Sequence, residues 1–69
     1  MTSVFLMRVY KVGDYANPVY YEAINTTELI AEQRLSELWN DHTPADGSRY
    51  RATMRRAGDR RIIQSIEWQ

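Results

Sequence analysis

Arg49-Tyr50-Arg51-Ala52-Thr53-Met54-Arg55-Arg56, followed by Ala57-Gly58-Asp59 and then Arg61-Ile62-Ile63-Gln64-Ser65-Ile66-Glu67-Trp68, is the stretch that decides the fold. Tyr50, Ala52 and Met54 alternate with Arg49, Arg51, Thr53 and Arg55, the period of a strand that buries one face. Ala57-Gly58-Asp59 turns the chain, and residues 61–68 return as a second strand. A two-residue loop at Gly58-Asp59 would set Tyr50 against Glu67 and Arg49 against Trp68, mixing core and solvent faces. A three-residue loop moves the pairing by one. It groups Tyr50, Ala52 and Met54 with Ile62, Ile66 and Trp68, and leaves Arg49, Arg51, Arg55, Arg61, Ile63 and Glu67 outside. A one-residue slip turns every side chain over, so burial selects the odd loop.

Upstream, residues 4–12 and 19–24 are rich in β-branched and aromatic types, with Gly13-Asp14 and Asn17-Pro18 between them. Pro18 has no N–H and biases Asn17 away from helix, so residues 4–24 read as another hairpin. Asn25-Thr26-Thr27-Glu28 has the form of a capping box that starts a helix over 26–40. Ala31, Leu35, Leu38 and Trp39 share its buried stripe, widened by Leu29 and Ile30, while Arg34, Glu37 and Asp41 face water. Pro44 and Asp46-Gly47 break the chain before residue 49. The expected fold is therefore α+β: one domain over 1–69, a ββαββ two-layer sandwich with an antiparallel four-stranded sheet and one helix on one face. The expected core is Phe5 or Leu6, Tyr21 or Ile24, Leu35, Leu38, Trp39, Met54, Ile62 and Ile66.

Composition narrows the functional classes. Sixty-nine residues, 43% apolar and 26% charged, describe one small globular domain. There is no cysteine, hence no disulfide, no thiolate nucleophile and no Cys-ligated zinc. Nine basic and nine acidic side chains cancel, yet residues 1–46 carry an excess of acids and residues 47–69 an excess of arginine. Halves of opposite sign can attract each other or present two faces to a partner. The apolar run Val4–Met7 stops at Arg8, too short for a signal-peptide core or a membrane span, which points to the cytoplasm.

No constellation of catalytic residues emerges. His42 lies near Asp41 and Asp46, but three or four converging ligands are needed for a metal site. Asp46-Gly47 lacks the acidic ladder of a calcium loop. Ser48 has no nucleophile elbow, and the three glycines form no phosphate loop. Glu22 and Glu28 are carboxylates on different elements, and Asn25-x-Thr27 matches a glycosylation sequon better explained as a helix cap. The expectation is a non-enzyme with no cofactor and no metal.

Two features suggest binding. Eight of the nine basic residues are arginine, whose planar fork matches carboxylate and phosphate. Arg49, Arg51, Arg55 and Arg61 are expected to form a row on the uncovered sheet face. Tyr10, Tyr15 and Tyr20 gather with Tyr21 in the first hairpin. Its strand is apolar on both faces, Phe5, Met7 and Val9 against Leu6, Tyr10 and Val12, and one helix covers only one. Tyrosine and arginine dominate interface energetics. A larger protein or nucleoprotein partner ranks first. A single-stranded nucleic acid ranks second because the net charge is zero, and a self-associating structural subunit third. A homodimer is expected from the uncovered apolar face.

The layout, Val4–Ile24 as hairpin, Asn25–Asn40 as capped helix and Arg49–Trp68 as closing hairpin, resembles that of very small phage-encoded accessory proteins, anti-CRISPR proteins among them. The resemblance implies a non-catalytic inhibitor that binds and blocks a larger nucleic-acid-handling machine in the host cytoplasm.

Overall fold

Alternation along the first strand organises the sheet. A computed structural model describes all of residues 1–69, with β1 at Ser3–Lys11, β2 at Tyr20–Thr26, α1 at Glu28–Asp41, β3 at Tyr50–Arg56 and β4 at Gln64–Trp68. Phe5, Met7 and Val9 are fully buried while their neighbours in β1 are not. The sheet is antiparallel throughout, in the order β2-β1-β3-β4. The two hairpins are thus joined by β1 and β3 at the centre, and α1 carries the chain from one edge across the sheet. The expected ββαββ α+β fold is the one observed.

The core lies between α1 and one sheet face. Ala31, Leu35 and Leu38 meet Phe5, Met7, Val9, Ala52 and Met54, all at or below 1% exposure. Tyr20, Ile24, Tyr50, Ile63, Ile66 and Trp68 close its rim. Trp68 reaches from the far edge, its indole Nε1 donating to the His42 carbonyl at 2.6 Å and its ring meeting Tyr50 edge-on. Phe5 and Ile24, rather than Leu6 and Tyr21, are the inward residues.

The register of the second hairpin matches the burial argument, with Tyr50 opposite Trp68, Ala52 opposite Ile66 and Met54 opposite Gln64. The loop is longer than expected, because the ladder stops at Gln64. Asp59 Oδ1 accepts from the Arg61 N–H, an Asx turn that holds the loop in its own conformation. Arg56 has no partner in β4; it stays opposite Phe5 of β1, and its side chain pairs with Glu28 of α1. Ile62 is consequently half exposed rather than core, and Ile63 packs inward rather than outward.

The helix starts later than the capping-box reading expects. Asn25 is held opposite Val4 in the β1–β2 ladder, so it cannot cap. Thr27 is the N-cap: its backbone is extended and its hydroxyl accepts from the Ile30 N–H at 3.3 Å. Trp39, Leu29 and Ile30 are exposed, not core, since the three buried residues of α1 already span the width that faces the sheet. Arg34 is not on a solvated face either. It lies one turn from Leu38 and folds over β2, where it forms a fork with Glu22.

Candidate functional site on the open sheet face

Strand register alone sorts the side chains of the uncovered face into cross-strand rows. One row is Ala23, Leu6 and Arg55; the next is Tyr21, Arg8, Thr53 and Ser65; the third is Tyr10, Arg51 and Glu67. Arg8, opposite Thr53, is therefore diagonal to both Arg51 and Arg55. Diagonal neighbours on a sheet stand about 7–8 Å apart, within reach of long side chains. By register, three arginine residues occupy the outward positions nearest Thr53.

Their charges are incompletely answered. Arg51 Nε stands 3.9 Å from Glu67, too long for a hydrogen bond, and Arg49 shares the same carboxylate at 3.6 Å. None of the ion pairs in the fold involves Arg8 or Arg55. The Nε atoms of Arg51 and Arg55 are both buried without a hydrogen-bond partner. A buried donor left unpaired costs about 1–3 kcal/mol, so these two guanidinium groups are held on the face at some cost to the fold. Arg8 lies over the Tyr21 ring at 5.1 Å, and Tyr15 folds from the β1–β2 loop edge-on against Tyr10 at 5.6 Å. Val4, Leu6 and Ala23 give the face an apolar end.

Of the expected binding residues, Arg51, Arg55 and Tyr10 share this face and Tyr15 borders it. Arg49 precedes β3, yet is tied to the face through Glu67. Arg61 does not join the row, because it lies in the exposed loop before β4. Tyr20 is on the opposite, helix-side face. Tyr21, grouped with the tyrosines of the first hairpin but also weighed for the core, lies on this face, and Arg8 joins it there as a residue the sequence reading does not single out. The signal for Arg8 is its place between Leu6 and Tyr10 at a spacing of two, which fixes it outward once Phe5, Met7 and Val9 are inward.

The helix-side edge of β2 holds a different polar cluster. Arg34 donates from Nε to Glu22 Oε2 at 2.9 Å and from its terminal nitrogen to Oε1 at 2.7 Å. The Tyr20 hydroxyl donates to the same Oε1 at 2.7 Å, His42 stacks on the Tyr20 ring at 4.3 Å, and Asp41 stands 3.6 Å from Arg34. The Arg34 hydrogen bonds hold the Glu22 carboxyl below the usual carboxylate range. The bond to Glu22, then burial, pushes the Tyr20 phenol up. Each member answers another, which makes the cluster a structural clasp between helix and edge strand. The opposite charges of the two halves of the chain are barely spent on each other, since Glu28–Arg56 is the one ion pair that joins them.

No helix is long and apolar enough to cross a membrane. Comparison with protein-family models, with curated proteins and with solved structures found no match to this chain.

Proposed function

We propose that the chain is a non-catalytic binding module that docks through its open sheet face onto an acidic surface of a larger protein or nucleoprotein assembly. The observation that supports this reading is that Arg8, Arg51 and Arg55 take neighbouring outward positions about Thr53, beside exposed aromatic rings, with Arg8 and Arg55 in none of the ion pairs of the fold. Arginine and tyrosine around an apolar end are the composition of interface anchors. Occupying such a surface would modulate or block the assembly, the mode that the layout resemblance implies for a phage inhibitor. The cysteine-free chain needs no oxidising compartment, so this reading places the encounter in the cytoplasm.

Pull-down from lysate of the source cell, with and without nuclease, compares the native chain with an Arg8→Glu/Arg51→Glu variant. A protein captured by the native chain, resistant to nuclease and lost from the variant, supports the reading. Capture indifferent to charge reversal overturns it. Nucleic acid recovered without protein also overturns it and favours the single-strand alternative. In that case binding to oligodeoxythymidine would fall with salt at a log–log slope of about −0.7 per neutralised phosphate.

A further inference from the structure

The two edges of the sheet differ in how they are guarded. The β4 edge is five residues long and carries Glu67, which is engaged by two arginines. Short, charged edges resist further pairing. The β2 edge is seven residues long, with Tyr21, Ala23 and Asn25 exposed along it. It has no lysine, arginine, proline or bulge between Tyr20 and Thr26, and its one charge, Glu22, is engaged by Arg34.

The hydrogen-bonding phase of that edge follows from β1. Val12 donates to the Arg49 carbonyl and Ala57 to the Val4 carbonyl, so the even-numbered residues of β1 direct their backbone groups to β3. The odd-numbered ones, Phe5 and Met7 among them, bond to β2 through Ile24 and Glu22. In an antiparallel ladder both backbone groups of a residue point the same way. Tyr21, Ala23 and Asn25 therefore direct N–H and C=O away from the sheet.

We infer that this edge is the seam of a two-fold homodimer in which β2 pairs antiparallel with β2 of a second copy, Ala23 facing Ala23 across the axis. Neighbouring registers are excluded by particular residues. A two-fold axis at residue 22 would bring Glu22 against its own copy. An axis at residue 24 would set Tyr21 against Thr27 and drive the second copy into the start of α1. The axis at Ala23 pairs Tyr21 with Asn25 twice, so all three outward residues both donate and accept, and sets Glu22 beside Ile24 with no like charges opposed. Ile30 lies one turn before Arg34 on the flank of α1 that reaches β2, and it is left half exposed above the same edge. In this register each outward residue of one copy meets an outward residue of the other and the one charge of the strand meets none of its own sign, which makes the strand self-complementary about a two-fold axis. Its extent, one strand and a flanking side chain, belongs to the class of weak interfaces below about 1,200 Å². The dimer is independent of the open-face reading, because it leaves Arg8, Arg51 and Arg55 uncovered.

Sedimentation equilibrium over a concentration range reaching the millimolar tests it. The native chain should pass from 8.2 kDa to twice that mass. Ala23→Lys and Ala23→Asp, each facing its own charge across the axis, should each raise the dimer dissociation constant at least tenfold while keeping the native circular-dichroism spectrum. An equimolar mixture of the two variants should restore the dimer, since residue 23 then faces its opposite charge. Native protein that stays at 8.2 kDa, variants that still dimerise, or a mixture that gains nothing overturns the inference. Dimerisation abolished instead by Arg8→Glu/Arg51→Glu would overturn it in favour of the open face.

Discussion

Replacing Arg34 by Met removes the guanidinium fork and keeps most of the stem that packs beside Leu38. What remains is Glu22, with a side chain only 13% exposed and one neutral donor, the Tyr20 hydroxyl. Breaking a fully buried ion pair costs about 3–5 kcal/mol, and losing hydrogen bonds to a charged group about 1.5–3 kcal/mol. Arg34 is 31% exposed, so water reaches the vacated side and the lower range applies. The expected loss is about 2 kcal/mol, against a total stability of about 3–10 kcal/mol for a chain of this length. With a urea slope near 1 kcal/mol per molar, the unfolding midpoint should fall by about 2 M at pH 7. The pH dependence has a definite sign. Glu22 is depressed in the folded state, so its stabilisation is present above the unfolded carboxylate value of about 4.3 and is lost as pH falls through the lower folded value. The difference between native and variant should therefore shrink between pH 7 and pH 3. A midpoint change under about 0.5 M, or a difference that stays constant over that pH range, would refute the clasp.

Leu35→Ala should cost about 2–5 kcal/mol in the same urea assay, because Leu35 is fully buried beneath the sheet. The two tryptophans should separate: Trp39→Ala should change stability by under about 1 kcal/mol. Trp68→Phe, which loses the donation to the His42 carbonyl, should cost about 1–2 kcal/mol by thermal unfolding. Gly58→Ala meets no neighbouring atom but requires φ of +84°, so calorimetry should show a loss of about 1 kcal/mol from backbone strain alone.

The β3–β4 register was legible because a slip by one residue would have turned Met54 and Ala52 out and Arg51 and Arg55 in. The start of α1 was not, since Asn25 and Thr27 are both competent caps. The choice between them is made by the ladder that holds Asn25 beside Val4. Trp39 and Ile62 show the same limit from the other side: an apolar residue at the right period is buried only where something remains to cover it. The candidate site was read in half. Alternation exposed Arg51 and Arg55. The placement of Arg8 and Tyr21 beside them depends on β1 lying next to β3, a pairing between residues some 45 apart in the chain. The Glu22–Arg34 fork likewise spans two elements and leaves no local signature.

The central place of β1 also bears on how the chain is made. β1 can pair with β2 as soon as both exist, but its other edge waits for β3. At about 5–20 residues per second of synthesis, that is a delay of roughly two to nine seconds. Until then Phe5, Met7 and Val9 belong to half a sheet, without the Ala52 and Met54 that complete their layer. The segment Val4–Val9 combines high β propensity with high hydrophobicity, the profile that nucleates aggregation in nascent chains. Its only interruption is Arg8, and Lys11 follows just beyond. In the finished fold Arg8 decorates a surface; on the nascent chain the same charge is the gatekeeper that keeps an unfinished sheet from finding the wrong neighbour.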